Sequence, residues 1–462
     1  MSTTAFFEQL TLDVAGRARA QRQPSLSVAA ALDGDVIWTS ALGDADPLAA
    51  EPTTPTATTC YRIGSLTTPQ VAVAVMVLAE GGQVDLGAPI RNYLPDAPAG
   101  SATVAQFLSH TSGLVAEIDR PWWARAGGCS WDELVAMNLR QVAAPGLAHH
   151  YSNVGYAVLG RLLEVVTGRP WDTVLAEVLW TPLGMSRTAR SPGPDHATGV
   201  AVHPLRPLVH AEPVPPYLAM GPAAELWSTP TDLARLGSFL AGVGQGRGVL
   251  RPESLALMRH PAALATAQGG GWTSAHGLGL MVRNTGGAVQ VFHAGSVPGF
   301  TAHLVLDPAS GTSIAVCGNS TSWNGGAFDW LQDLSATVRP HRAASETADG
   351  SGGPMLPPTT RALAGLWYRG PQPILVKVHQ DVILVHPTEF PDQASRVRAD
   401  AGGRLVGVSE DAAFGEELTV DPDHPEDPRW FTLAGLHHAR APYDPDSEVP
   451  GGVDEQGWRP LR

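Results

Sequence analysis

A serine stands directly before an apolar helix in the segment Tyr61-Arg-Ile-Gly-Ser65-Leu-Thr-Thr68-Pro-Gln70. The pattern predicts a helix from Thr68 to Glu80, and the proline at position 69 is compatible with its first turn. At the start of such a helix, the hydroxyl of Ser65 lies near unpaired backbone N–H groups and the positive end of the helix dipole. That setting favours an alkoxide and its acyl products. Taken alone, however, a serine here is far more often a helix cap than a nucleophile.

Two further triplets could contribute to the same chemistry. Tyr151-Ser-Asn153 precedes an amphipathic helix predicted over Gly155–Thr167, and its tyrosine and asparagine can both face a cleft as proton carrier and amide donor. His293-Ala-Gly295 ends a predicted strand, where the glycine would let a substrate approach the strand edge. Each triplet is weak evidence alone, because Tyr-x-Asn is common by chance and a histidine at a strand end is usually structural.

The order and spacing of the three groups resemble the Ser-x-x-Lys, Tyr-x-Asn and Lys/His-x-Gly motifs of serine β-lactamases, penicillin-binding proteins and related esterases. Supporting stretches that also resemble this family are His110-Thr-Ser-Gly-Leu114, Thr181-Pro-Leu-Gly-Met185 and His276-Gly-Leu-Gly-Leu280. The similarity covers about Ser25 to Ser335. It implies an acyl-enzyme formed on Ser65 from an ester, thioester or amide.

The resemblance also implies a role for each residue of the site. Ser65, Tyr151 and His293 are the expected catalytic residues, with the tyrosine relaying protons. Thr68, Asn153 and Gly295 are expected to bind the substrate, and a backbone N–H near Gly295 is expected to complete an oxyanion hole with that of Ser65. The expected partner is a small-molecule or peptide acyl substrate, with no cofactor and no metal.

The activating lysine of the family is missing. Thr68 stands where the family places it, one helical turn after the serine, and the only lysine of the chain is Lys377. Threonine cannot usefully accept a proton at neutral pH. Tyr151 remains as a base if a cationic neighbour lowers its pKa, and His293 could be that neighbour or the base itself. His149 and His150 adjoin the tyrosine and are expected to flank the site.

Strand patterns at both ends of the first 338 residues, with helices between them, predict an α+β fold. Its antiparallel sheet is flanked by helices and carries an inserted helical region, as in the β-lactamase and transpeptidase fold. A hairpin is predicted around Asp33-Gly34. We predict a domain over residues 1–338, a linker over 339–360 and a small all-β, barrel-like domain over 361–462. This last unit resembles a lipocalin-like β-domain, and its alternative roles are a packing module or a wall of the substrate cleft.

Composition excludes some classes of function. The formal net charge of −14 disfavours nucleic acid and anionic membrane surfaces as partners. No signal peptide is recognised in Met1–Leu12, and the apolar run Val71–Ala79 is too short to span a bilayer. Three cysteines without metal or redox spacing argue against a disulfide framework. The cytoplasm is the expected location, and the oligomeric state stays open.

Three functions are compatible with these residues. The first is a serine hydrolase or acyltransferase of reduced or altered activity. The second is a binding or regulatory homologue that has kept the cleft but lost turnover, as the absent lysine suggests. The third is a repurposed site in small-molecule biosynthesis, in which Tyr151 and His293 act as acid and base.

Overall fold

The computed structural model describes residues 3–246, 248–268, 271–284, 289–321, 326–338, 356–379, 381–388, 394–400, 402–408, 413–443, 449–454 and 456–461. The helices are Thr3–Ala20 (α1), Thr67–Glu80 (α2), Val104–Leu108 (α3), Trp123–Ala126 (α4), Trp131–Ala136 (α5), Asn153–Thr167 (α6), Trp171–Leu175 (α7), Thr181–Leu183 (α8), Gly221–Ala224 (α9), Pro230–Ala241 (α10), Pro252–Arg259 (α11) and Ala327–Val338 (α12). The strands before residue 339 are Ser25–Leu32 (β1), Asp35–Gly43 (β2), Tyr61–Arg62 (β3), Val200–Val202 (β4), Leu208–Ala211 (β5), Trp227–Ser228 (β6), Ala263–Gln268 (β7), Gly271–His276 (β8), Met281–Asn284 (β9), Val289–Val297 (β10), Phe300–Asp307 (β11) and Thr312–Gly318 (β12).

The main sheet has eight antiparallel strands in the order β2-β1-β12-β11-β10-β9-β8-β7. Its N-terminal hairpin therefore joins the last strand of the domain, with Val28 opposite Val316. Strand β1 is a nearly continuous apolar run because both of its faces are covered. Helix α10 packs on one face, and α12 packs on the other together with α1. The predicted α+β fold is confirmed.

The helical region between β2 and β7 holds most of the larger core. Helix α2 is apolar nearly all round, so it is buried by its neighbours, above all α6, α7 and α9. It begins at Thr67, one residue before the predicted start. Among the described residues, no helix is both long and apolar enough to cross a membrane.

The described residues from 356 onward form a C-terminal β-domain. The strands after residue 356 are Gly365–Arg369 (β13), Gln372–Val378 (β14), Ile383–Pro387 (β15), Ser395–Ala399 (β16), Leu405–Gly407 (β17), Leu418–Val420 (β18), Trp430–Leu433 (β19), Leu436–Ala439 (β20) and Arg459–Pro460 (β21). Eight of these strands make a second antiparallel sheet, in the order β17-β16-β15-β14-β13-β20-β19-β18. A bridge between Val406 and Glu417 brings its two edges together, so the predicted barrel-like shape is confirmed.

The linker prediction falls mostly outside the described residues, which resume at residue 356. The segment Pro358–Leu363 forms a short 3-10 helix, so regular structure begins inside the predicted 339–360 linker. The domain boundaries themselves stay predictions. At the far end of the chain, β21 returns to the first domain and pairs with β5, where Arg459 faces Val209.

Candidate active site

Ser65 lies on a short 3-10 turn, Gly64–Leu66, that leads into α2. Strand β10 passes this turn at very close range. A Cβ atom on Gly295 would lie 1.9 Å from the carbonyl oxygen of Ile63, and one on Gly64 would lie 2.7 Å from the backbone nitrogen of Ser296. Glycine is thus required on both sides of the contact, and the space beside Gly295 is filled by the serine turn. The substrate-binding role of Gly295 stays a prediction.

Thr68 and His293 connect the same turn and strand through their side chains. The Oγ1 atom of Thr68 lies 2.9 Å from the carbonyl oxygen of Ser65 and 3.2 Å from Nε2 of His293. Nδ1 of His293 lies 2.9 Å from the carbonyl oxygen of Ala294, so this nitrogen carries the proton and Nε2 keeps its lone pair. Burial lowers the pKa of His293 to about 4, and the ring is therefore neutral at pH 7.

Tyr151 is a neutral phenol in this setting. Its ring stacks on that of His110, with the ring centres 4.0 Å apart. The nearby hydroxyls of Ser65 and Thr68 lower the pKa of Tyr151, but burial outweighs them and raises it to about 12. The phenol therefore lies beside the serine without a cation that would ionise it.

Asn153 begins helix α6, and its side chain contacts the carboxyl group of Glu117, which belongs to none of the predicted motifs. Its Nδ2 donates to Oε1 of Glu117 over 2.8 Å, and the indole N–H of Trp123 donates to the other oxygen of this carboxyl. Burial, which outweighs these two donors, raises the pKa of Glu117 to about 7; the charge of Glu416 also raises it. The Oδ1 atom of Asn153 has no partner among the described residues and is available to a substrate donor.

A group of buried histidines surrounds Tyr151. The ring of His276 lies 4.5 Å from that of His110 and 5.5 Å from that of His149, measured between ring centres. The ring nitrogens of His149 and His276 have no partner in the described chain. Their pKa values are lowered by burial, so these side chains are neutral. Nε2 of His150 instead lies 3.0 Å from Oε1 of Glu416, a residue of the C-terminal β-domain.

One pocket is lined by two of the predicted residues, Ser65 and Asn153, and by parts of the C-terminal β-domain. It is lined on one side by Ser65, Glu117 and Asn153, and on the other by Arg369, Gln372 and Gly435, among others. Thr68, Tyr151 and His293 are not among the residues that line this pocket, and Thr68 contacts both the Ser65 carbonyl oxygen and His293. In the described ranges, no group of three or more histidine, cysteine, aspartate or glutamate side chains has the arrangement that a metal ion requires.

The family model described as Beta-lactamase matches residues 11–337, and a second model, described as a domain of unknown function (DUF7586), matches residues 356–440. Penicillin-binding protein 4 of Amycolatopsis lactamdurans is 29% identical over 297 residues, which are 59% of this chain and 74% of that protein. Esterase EstB of Burkholderia gladioli is 31% identical over 177 residues, or 33% of this chain and 43% of that protein.

Solved structures agree in fold over both domains. A crystal structure of SurE superposes with a TM-score of 0.63 at 24% identity and covers 95% of this chain and 99% of its own. The octameric penicillin-binding protein homologue from Pyrococcus abyssi gives a TM-score of 0.62 at 21% identity and covers 95% and 100%. At these identities the likeness concerns the fold alone. The match of the family model over most of the chain, together with these folds, shows that the protein belongs to the beta-lactamase family.

Proposed function

We propose that the protein is a serine hydrolase or acyltransferase that forms an acyl-enzyme on Ser65 with an ester, thioester or amide substrate. The observation that carries the proposal is the Thr68–His293 contact behind Ser65, which links the serine turn to a neutral imidazole. The relatives support this type of function, because one is named a penicillin-binding protein and another an esterase.

The proposed chemistry follows from the protonation states. The Oγ atom of Ser65 attacks the acyl carbon, and its proton passes by way of the hydroxyls of Tyr151 and Thr68 to Nε2 of His293. The backbone N–H of Ser65 and one near Gly295 would stabilise the oxyanion. The proton then returns to the leaving group, and water or another nucleophile releases the acyl group. Because a base of pKa about 4 accepts protons poorly at pH 7, we expect slow turnover that favours activated substrates.

A binding or regulatory role is the second candidate, and one observation favours it. The pKa of Tyr151 is raised to about 12 and the chain has no lysine beside Ser65, so the tyrosine cannot serve as a phenolate base near neutral pH. A protein of this kind would hold acyl ligands in the cleft without turning them over. The two candidates differ in whether product accumulates beyond one equivalent of protein.

Steady-state hydrolysis of p-nitrophenyl esters separates them. We expect multiple turnovers by the unmodified protein and loss of activity in Ser65→Ala. Ser186→Ala changes an exposed serine far along the chain and serves as the matched control. Equal rates in all three proteins would exclude catalysis by Ser65, and a single turnover would favour the binding role.

We also propose the domain boundaries, the class of substrate and the cellular location. The domains span residues 1–338 and 361–462, joined by a linker over 339–360, and the substrate is a small molecule or peptide. A cytoplasmic location is supported by the state of Cys60, Cys129 and Cys317, which are all buried and unpaired.

A further inference from the structure

The last part of the described chain packs on the first domain. We call its residues 449–454 and 456–461 the C-terminal tail. Strand β21 of the tail pairs with β5, where Arg459 lies opposite Val209. The backbone N–H of Leu461 donates to a carbonyl oxygen just before β5 over 2.6 Å, and its side chain packs against the apolar side chains of β4 and β5. The tail is therefore bound to the first domain by backbone pairing and by apolar contact.

A second set of contacts holds the tail against a buried ion pair. The guanidinium of Arg125 donates to Oε2 of Glu212 over 2.8 Å, and both side chains are almost fully buried. Nη1 of Arg125 also donates to two carbonyl oxygens of the tail, that of Pro450 over 3.0 Å and that of Gly452. A buried ion pair is stable only when hydrogen bonds satisfy its remaining polar groups. Release of the tail would therefore remove two hydrogen bonds from a buried charge.

The same ion pair belongs to the wall of the Ser65 pocket. Glu212 and Trp122 both line this pocket. The guanidinium of Arg125 lies 5.7 Å from the centre of the Trp122 ring. Trp122 has a φ angle of 42°, which is unfavourable for a bulky residue and persists only when the surrounding structure supports it. Arg125 thus connects the tail to two residues of the pocket wall.

The fit between the tail and Arg125 depends on one glycine. Gly451 has a φ angle of 86°, and a Cβ atom there would lie 2.2 Å from the carbonyl oxygen of Arg125. Gly457, further along the tail, also has a positive φ angle, 67°, but a Cβ atom there would meet nothing within 4 Å. Alanine at either position strains the backbone, whereas only alanine at position 451 would push the tail away from Arg125.

We propose that the C-terminal tail is a latch that holds the wall of the Ser65 pocket in place and so limits the size of the acyl group that Ser65 accepts. The pocket has a volume of about 210 Å³. A cavity of about 150 Å³ is enough to hold benzene, so the latched pocket fits an acyl group with one ring. Release of the tail frees Arg125, Glu212 and Trp122 to move and admits larger groups. The size limit rests on the proposed function of Ser65, whereas the latch does not.

Amide hydrogen exchange tests the latch independently of catalysis. In Gly451→Ala we expect the backbone amides of residues 449–454 and 456–461 to exchange at least about tenfold faster than in the unmodified protein, because the tail opens more often. In the matched control Gly457→Ala these amides should keep their protection. Unchanged protection in Gly451→Ala, or an equal loss in both variants, would overturn the latch.

Paired esters test the size limit. p-Nitrophenyl benzoate has one ring in its acyl group, and p-nitrophenyl diphenylacetate has two. We expect the unmodified protein to prefer the benzoate, and Gly451→Ala to raise kcat/KM for the diphenylacetate relative to the benzoate about tenfold, with no change of this ratio in Gly457→Ala. An unchanged ratio in Gly451→Ala, despite faster exchange of the tail, would overturn the size limit. Faster exchange without turnover of either ester by any of the proteins would support the latch and contradict the proposed function instead.

A disulfide separates release of the tail from a general loss of structure. Val209→Cys and Arg459→Cys place two cysteines at paired positions of β5 and β21, where a disulfide can form. In Gly451→Ala with both cysteines oxidised, we expect the protection of the tail and the preference for the benzoate to return, and reduction to abolish both again. A ratio of the two esters that does not respond to the disulfide would show that Gly451→Ala acts by another route and would overturn the proposal.

Discussion

The hydroxyl of Thr68 lies 3.2 Å from Nε2 of His293 and 2.9 Å from the carbonyl oxygen of Ser65. A lysine at position 68 would supply a cation and a base; threonine supplies a single hydroxyl proton that can be shared between these two acceptors. Thr68 therefore connects the serine turn and β10 without the charge that a lysine would bring. With the tyrosine un-ionised, the proposed mechanism assigns the role of proton acceptor to the neutral imidazole of His293.

Removing the Thr68 hydroxyl should slow acylation of Ser65. In Thr68→Val the side chain keeps its shape but leaves Nε2 of His293 without its donor, and we expect the rate with an activated ester to fall about tenfold or more. Stopped-flow release of p-nitrophenol measures this rate. Thr173→Val, on an exposed position of α7, is the matched control. An unchanged rate in Thr68→Val would rule out a relay through this hydroxyl.

Introducing a lysine at position 68 should have the opposite effect. In Thr68→Lys an amine lies one helical turn from Ser65, where it can accept the serine proton and lower the pKa of Tyr151. We expect acylation to accelerate about 10²–10⁴-fold, the usual contribution of a positioned base. Single-turnover kinetics with the same ester measure the gain. An unchanged acylation rate in Thr68→Lys would show that the cleft lacks more than a base at this position.

Glu117 should impose a pH dependence near neutrality. Its carboxyl group is protonated below its pKa of about 7 and negative above it. The negative form opposes an oxyanion in the same pocket, so the rate with a neutral ester should fall as the pH rises through 7. A pH–rate profile from 5 to 9 would show this step, and Glu117→Gln should abolish it. A step of the same size in the variant would assign the titration to another group.

The buried histidines should make folding sensitive to acid. Burial lowers the pKa to about 4 for His149 and His293 and to about 3 for His438. Below pH 6.5 these histidines are protonated in the unfolded chain but stay neutral in the folded chain. The free energy of unfolding is therefore highest above pH 6.5. It falls toward pH 4 by about 1.4 kcal/mol per pH unit for each histidine.

Guanidinium denaturation at pH 7.5, 6 and 5 measures this loss. His149→Phe should reduce the slope and raise the free energy of unfolding at pH 7.5 by about 1 kcal/mol, because both ring nitrogens of His149 lack partners among the described residues. The phenylalanine ring removes those nitrogens while keeping a planar side chain. A stability that is independent of pH in this range would show that the folded state accepts these protons.

Local sequence patterns were enough to predict several elements, among them the helix and the strand that position the site. The helix after Ser65, the strand ending near Gly295 and the hairpin at Asp33 all have periodicity or turn residues that are readable without tertiary structure. Helix α1 was missed because its buried residues Phe6, Leu10 and Val14 form only a narrow stripe among polar ones.

The remaining site residues could not be found in this way. Glu117 stands in a loop and Arg369 at the end of β13, and the two residues line one pocket only because distant parts of the chain pack together. Glu416 likewise comes from a distant segment, yet it accepts from the backbone N–H of Ala116 and contacts His150. Contacts between residues some 250 to 300 positions apart leave no periodic signal in a single sequence.

The most direct test of the central claim is the intact mass of the protein after incubation with a fluorophosphonate and, separately, with an activated ester. A nucleophilic Ser65 predicts a single adduct with each reagent, and both adducts should be absent from Ser65→Ala. The unmodified protein without any adduct, in a preparation that is folded and gains an adduct once Thr68→Lys is introduced, would contradict the account and show that the cleft is intact but catalytically silent.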